Sequence, residues 1–211
     1  ATEFTPISAS VPSDPVNPGA VGRPFPGVAL KIVDAKGEEL PQGEIGEVWC
    51  RGPGAMNGYY GDQAATDAGM KADGWLAIGD LAFLDKDGQI HLVGRLKDII
   101  LRSGFTVYPA EIEAVLSGHP DVLQSAVVGR VVPDNEEVVA YIQPAPGAVL
   151  DVAEIYAFAR ERLAPYKRPG RIIPLEALPV GPTGKVAKEE LRRAAAELDK
   201  PTVMLPQQET C

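Results

Sequence analysis

Six prolines crowd the first 27 residues, at Pro6, Pro12, Pro15, Pro18, Pro24 and Pro26. A proline fixes φ and has no N–H to donate, so this spacing rules out a helix and keeps the segment out of the centre of any sheet. Regular structure is expected from Val28. There Val28-Ala29-Leu30-Lys31-Ile32-Val33 predicts a short strand, ended by Asp34-Ala35-Lys36-Gly37. Ile45 to Cys50 reads as another, followed by the loop Gly52-Pro53-Gly54. Trp75 to Phe83 and Gln89 to Val93 flank Asp85-Lys86-Asp87-Gly88, a hairpin signal of the Asp-Gly type. The same run resembles the opening of a calcium loop. Its glycine comes too early and no Glu closes the loop, so calcium is set aside.

After Gly94 the pattern changes to alternating strand and helix. Asp98 to Arg102 predicts a strand, and Pro109 suits the first position of a helix running through Ile112, Val115 and Leu116. Ser125–Val128 and Val138–Ile142 read as strands. Over residues 151–163, Val152, Ile155, Tyr156, Ala159 and Leu163 form one stripe at helical spacing, which marks a core-facing helix. A last strand, Arg171 to Leu175, and a closing helix, Glu189 to Leu198, complete the chain, with a tail expected to fray from Lys200. The expected fold class is α+β: a β-rich piece over 1–93, a small α+β domain over 94–199 and a tail over 200–211. The boundary is expected at Gly94-Arg95-Leu96-Lys97-Asp98.

The chain has 211 residues, 45% of them hydrophobic, enough for a real core, and no stretch approaches the roughly 18 apolar residues of a membrane span. Its 20 basic and 29 acidic residues give a net charge of -9, which argues against a nucleic-acid or anionic-membrane surface. A small phosphate ligand needs only one or two placed cations and stays open. Cys50 and Cys211 give no disulfide framework, and a reduced, cytoplasmic compartment fits them.

One such cation is Lys185, in the turn-rich stretch Leu178-Pro179-Val180-Gly181-Pro182-Thr183-Gly184-Lys185-Val186. A lone ammonium held out on a tight bend suits a phosphate or a carboxylate that gathers charge during reaction. The stretch is not a phosphate-binding Walker loop, because Pro179 stands where that pattern needs glycine and Val186 where it needs a hydroxyl.

Six motifs then stand in order: Ala1-Thr2-Glu3; Gly43-Glu44-Ile45-Gly46-Glu47-Val48 leading to Gly58-Tyr59-Tyr60; Gly74-Trp75-Leu76-Ala77-Ile78-Gly79-Asp80-Leu81; Gly94-Arg95-Leu96-Lys97-Asp98; Arg102 through Glu113; and the lysine turn. Together they resemble the adenylate-forming superfamily of acyl-CoA synthetases, aryl-CoA ligases and firefly luciferase, from residue 1 to about 197. The resemblance implies a ligase that activates a carboxylic acid with ATP as an acyl-adenylate and passes the acyl group to coenzyme A. It also implies that residues 1–93 end a large domain and residues 94–199 form a mobile C-terminal lid.

The resemblance assigns roles residue by residue. Thr2 would contact ATP phosphates and Glu3 would ligate Mg²⁺, a hard cation that takes carboxylate oxygens. Asp80 would accept from both ribose hydroxyls, and Arg95 would approach the ribose or phosphate. Lys97 stands at the hinge. Lys185 would stabilise charge at the reacting carboxylate and α-phosphate. Ser103-Gly104-Phe105 would line the tunnel of the coenzyme A arm, with Gly104 leaving room for the thiol. The Ser103–Glu113 stretch looks like the acyl-CoA synthetases, especially the fatty-acyl ones.

The family precedes its Thr-Glu pair with Tyr-Gly, whose tyrosine stacks on adenine, and it carries a phosphate loop and an acyl pocket further upstream; none of these is present here. The expectation is a C-terminal portion of a larger ligase, inactive in adenylation by itself, whose partner is the N-terminal portion of the same enzyme. Two other readings stay open: a freestanding half that joins acyl-adenylate to coenzyme A, and a non-catalytic binding module with the lid fold.

Overall fold

The computed structural model describes residues 1–11, 17 and 19–198. Pro12, Pro15, Pro18, Cys211 and the expected tail lie outside the described residues. The chain divides into two compact units, Ala1–Ile99 and from Ile100 onward. The segment 94–98, read as a boundary, falls in the first unit.

In the first unit, β1 (Ser8–Ala9) and β2 (Arg23–Pro24) form a two-residue antiparallel pair, all the strand structure that the described proline-rich segment supports. The main sheet runs β3 (Ala29–Val33), β4 (Gly46–Arg51), β5 (Leu76–Leu84) and β6 (Ile90–Arg95), antiparallel throughout and ordered as in the chain. Alternation decides its faces. Val48 and Cys50 of β4 are buried while Trp49 between them is half-exposed. Ile32, Val48, Cys50, Leu76, Ala82 and Ile90 pack with Phe4 as the core. Burial pushes the Cys50 thiol up to about 11, so it behaves as a small apolar side chain. On the other face Lys31 Nζ lies 4.8 Å from the ring centroids of both Trp49 and Trp75. The short helix α1 (Gln63–Gly69) sits between β4 and β5, and Asp62 caps it by accepting from the Ala65 N–H at 2.9 Å.

The Asp85-x-Asp87-Gly88 turn closes the β5–β6 hairpin as read. Asp85 Oδ1 accepts from the N–H groups of Asp87 and Gln89, both at 2.9 Å, and Oδ2 accepts from Asn17 Nδ2 at 2.8 Å. Its carboxylate is committed to holding the turn.

The second unit opens with the hairpin β7 (Ile100–Arg102) and β8 (Phe105–Val107). The strand expected over Asp98 to Arg102 is shorter than read. Leu96–Asp98 winds into a 3-10 turn, and β7 has only the three-residue β8 to pair with. Helix α2 (Pro109–Leu116) follows, with proline at its start. Then come β9 (Val122–Val132), β10 (Asn135–Pro144), helix α3 (Val152–Arg162), β11 (Arg171–Pro174) and helix α4 (Lys188–Glu197). The sheet order is β11-β10-β9, with β10 parallel to β11 and antiparallel to β9. Period-2 alternation makes β10 serve two cores. Val138, Ala140 and Ile142 meet α2 and α3 through Ile112, Leu116, Ile155 and Ala159. Val139 and Tyr141 meet α4 through Leu191 and Ala195. Each fully buried Val, Leu or Ile stabilises this sandwich by about 1.5–3 kcal/mol. No helix among the described residues is long and apolar enough to cross a membrane.

Candidate functional site

In the first unit the opening segment is laid along the loop after β4. The Met56 N–H donates to Glu3 O at 2.8 Å, Phe4 bridges Ala55, and the Thr5 N–H donates to Gly54 O at 3.2 Å. Thr2 is exposed and Glu3 half-buried. The Tyr59 hydroxyl donates to Glu3 Oε1 at 3.1 Å, and Tyr59 is itself fixed by its N–H donating to Thr66 Oγ1 at 2.9 Å. A bond from its own backbone N–H, then Tyr59 and the charge of Arg95, hold the Glu3 carboxyl below its ordinary value against the opposing effect of partial burial. Burial first, and Glu3 second, raise the Tyr59 phenol.

An ionised carboxylate with acceptor capacity beyond Tyr59 fits Mg²⁺, which binds through one or two carboxylates plus substrate phosphates. Asp80 lies mid-strand on β5, directly opposite Arg95 of β6. Ala1, Phe4, Thr5, Ile78 and Asp80 line one cleft of about 280 Å³, so the residues flanking Thr2-Glu3 and the Asp80 carboxylate share one concavity. Lys97 is exposed on the 3-10 turn.

In the second unit Ser103 and Gly104 form the tip of the β7–β8 hairpin, with Arg102 paired to Phe105. Both tip residues are left-handed, at φ 52° and 80°. A Cβ added to Gly104 would meet no atom within 4 Å, so the glycine answers a conformational demand at this turn. Ser103 is held in its unfavourable region by Asn135, whose Oδ1 accepts the Ser103 N–H at 2.7 Å and whose Nδ2 donates to Ser103 Oγ at 3.1 Å. Phe105 is exposed yet stacks on Tyr166, with centroids 4.6 Å apart and planes at 21°. Lys167, beside Tyr166, donates to both Glu111 carboxylate oxygens at 2.7 Å, and this raises its pKa above the ordinary value.

Lys185 stands on a separate hairpin of this unit. Val180 bridges Val186, the Gly181 N–H donates to Lys185 O at 2.8 Å, and the Gly184 N–H donates to Gly181 O at 2.9 Å. The lysine is exposed, and its ammonium has no ion-pair or hydrogen-bond partner among the described residues.

Sequence reasoning missed Tyr59, Asn135 and Tyr166 as parts of these sites. Tyr59 stood inside a recognised motif, Gly58-Tyr59-Tyr60, and could have been singled out there. Asn135 and Tyr166 carried no such signal.

Known proteins resemble both units. The AMP-binding enzyme profile matches residues 1–60, and the profile for the AMP-binding enzyme C-terminal domain matches residues 111–185. A 4-coumarate–CoA ligase-like protein of Arabidopsis thaliana is 38% identical over 188 residues, 88% of this chain and 34% of its own length. The fatty acid–acyl-carrier-protein ligase ScoC of Streptomyces coeruleorubidus is 42% identical over 176 residues, covering 82% of this chain and 33% of itself. The ATP-bound structure of MatB from Rhodopseudomonas palustris superposes with a TM-score of 0.87 at 34% identity, over 94% of this chain and 40% of that one. The chain thus spans about a third of the length of the curated relatives it matches. Because these two profiles of the AMP-binding enzymes together match more than half of the chain, this protein belongs to the AMP-binding, adenylate-forming enzymes.

Proposed function

We propose that this chain supplies the β-rich end of the large domain and the mobile lid of an AMP-forming acid–thiol ligase. In the first half-reaction a carboxylate oxygen attacks the α-phosphorus of ATP, the bond to the β-phosphate oxygen breaks, and pyrophosphate leaves. Asp80 orients the nucleotide by accepting from its ribose hydroxyls, since one carboxylate offers an oxygen to each. Thr2 donates to phosphate oxygens, and Arg95, whose Nε lies 3.2 Å from Asp80 Oδ1, keeps Asp80 aligned. Glu3 would hold Mg²⁺, which would neutralise phosphate charge when bound. Lys185 meets the charge that builds on the carboxylate and α-phosphate. In the second half-reaction the coenzyme A sulfur replaces AMP at the acyl carbon and loses its proton. Lys185 is then withdrawn by rotation about Lys97, and the Ser103-Gly104-Phe105 tip lines the thiol's approach.

The observation that carries this reading is the ammonium of Lys185, unpartnered among the described residues and carried on a tight hairpin of a protein with net charge -9. The acid proposed is a fatty acid, from the likeness of residues 103–113 to fatty-acyl synthetases. The compartment proposed is the cytoplasm, where ATP and coenzyme A are available and a buried free thiol such as Cys50 stays reduced.

The test is ATP–pyrophosphate exchange across a panel of carboxylic acids, with this chain alone and with it joined to the large-domain segment its relatives carry. Exchange is expected only in the joined form and strongest with fatty acids. Robust exchange by the chain alone would overturn the division of labour, and none in either form would overturn the activity.

A further inference from the structure

The start of helix α4 breaks two local rules. Its N-cap residue, Ala187, offers no side-chain hydrogen bond, and its first residue is Lys188, a cation placed at the positive end of the helix dipole. Glu189 and Glu190 follow the dipole rule, so the lysine is the exception. A rule broken without a local gain points to a role elsewhere.

That role is visible across the unit. Lys188 Nζ lies 2.7 Å from Glu113 Oε1, and the two side chains are only 23% and 21% exposed. Glu113 is not free to drift, because the same oxygen accepts the backbone N–H of the fully buried Val127 at 2.7 Å. Strand β9 lies at the edge of its sheet, and this carboxylate satisfies one of its outward N–H groups. Lys188 is therefore tied to a point fixed by α2 and β9 together.

Lys185 lies three residues before this tie. The first leg of its hairpin is anchored by buried Leu178, whose N–H donates to Gln143 Oε1 at 3.2 Å. The second leg has the Ala187 N–H donating to Pro179 O at 2.8 Å, Ala187 O accepting the Glu190 and Leu191 N–H groups of α4 at 3.0 and 3.4 Å, and the half-buried Val186 packed against the core around Leu191. Beyond these, the electrostatic link from that leg to the body of the unit is Lys188–Glu113. We propose that Lys188, acting through Glu113, is a positioning residue that fixes where the Lys185 ammonium is held. The proposal rests on the catalytic reading of Lys185. A displacement of about 1 Å at such a group is enough to cost on the order of a hundredfold in rate.

The variants are Lys188→Met, which keeps the aliphatic stem and leaves Glu113 on Val127, and Lys188→Arg, which keeps the charge. In the 211-residue chain, amide hydrogen exchange at Gly181, Gly184 and Ala187 is expected to quicken about three- to tenfold in Lys188→Met and to return toward wild type in Lys188→Arg, with Val127 and Val139 unchanged. Equal protection in Lys188→Met and wild type would overturn the tether. In the ligase carrying the large-domain segment, Lys188→Met is expected to lower kcat for adenylation with KM for ATP held, and Lys188→Arg to restore it. A normal kcat in Lys188→Met, in a ligase that Lys185→Ala inactivates, would overturn the positioning claim. Full activity of Lys185→Ala would instead remove the reading of Lys185 itself, and the exchange result would still decide the tether.

Discussion

Asp80 and Arg95 face each other across β5 and β6 as a register pair, with Arg95 Nε 3.2 Å from Asp80 Oδ1. The two ends of this pair sit in different surroundings: Asp80 is 19% exposed and lines the cleft, whereas Arg95 is 51% exposed. An ion pair with one end so solvated contributes at most about 1 kcal/mol to stability. The pair is better explained as orientation of Asp80 than as a fastening of the sheet.

Asp80→Asn in the complete ligase should therefore weaken ATP binding far more than folding. Losing charged hydrogen bonds to a ligand costs about 1.5–3 kcal/mol, or roughly ten- to a hundredfold in affinity. Calorimetric titration with ATP and a thermal melt of the same variant give the two numbers. A melting point that falls in step with affinity would make Asp80 a structural residue.

The Ser103-Gly104 tip is held by conformation and by one side chain, and the two can be separated. Gly104→Ala has room for its methyl but must adopt a left-handed φ, so it should cost about 1 kcal/mol of stability. Asn135→Ala removes both bonds to Ser103 and should cost about 1–3 kcal/mol while slowing thioester formation from preformed acyl-adenylate. Adenylation should be spared in both. Denaturant unfolding and the two half-reactions, assayed separately, decide this; loss of adenylation in Asn135→Ala would refute a role confined to the thiol step.

Lys167 gives a pH prediction with a definite sign. Its hydrogen bonds to Glu111 raise its pKa above the ordinary 10.5, so the pair's contribution is fully present below 10.5 and is lost as pH rises through the higher folded value. The difference in melting temperature between wild type and Glu111→Gln should stay constant through neutral pH and close in strong alkali. A difference that widens with rising pH would contradict the assignment.

Elements that bury a periodic face were legible in the sequence. The stripe Val152, Ile155, Tyr156, Ala159 and Leu163 is the face that α3 turns to the core, because burial and helical period select the same residues. Helix α1 buries no residue, so its sequence has no stripe to read, and only the Asp62 cap marks it. The hairpin β7–β8 is three residues long on each side and buries only Ile100 and Val107, which leaves too few positions for alternation to show. The exposed lysine hairpin was legible because its turn residues are contiguous, from Leu178 to Val186. The supports of Ser103 and Glu3 were not: Asn135 meets Ser103 across 32 residues and Tyr59 meets Glu3 across 56, and a single hydrogen bond leaves no periodic trace in the chain.

The role proposed for Lys185 separates the two half-reactions. Its side chain is solvated and unpartnered among the described residues, so Lys185→Ala removes no packing and should leave the melting point unchanged. Its charge matters only where negative charge develops, at the carboxylate and α-phosphate while pyrophosphate departs. Removing one such stabilising group from a transition state costs on the order of a hundred- to a thousandfold in kcat. ATP–pyrophosphate exchange in the complete ligase should fall by that factor, while thioester formation from supplied acyl-adenylate and coenzyme A proceeds at the wild-type rate. On the proposed reading the second step builds its charge at the acyl carbonyl and the departing AMP, after the lid has carried the lysine away. Equal loss in both steps would mean that the ammonium stays in place throughout, and rotation about Lys97 would then have no part in the cycle.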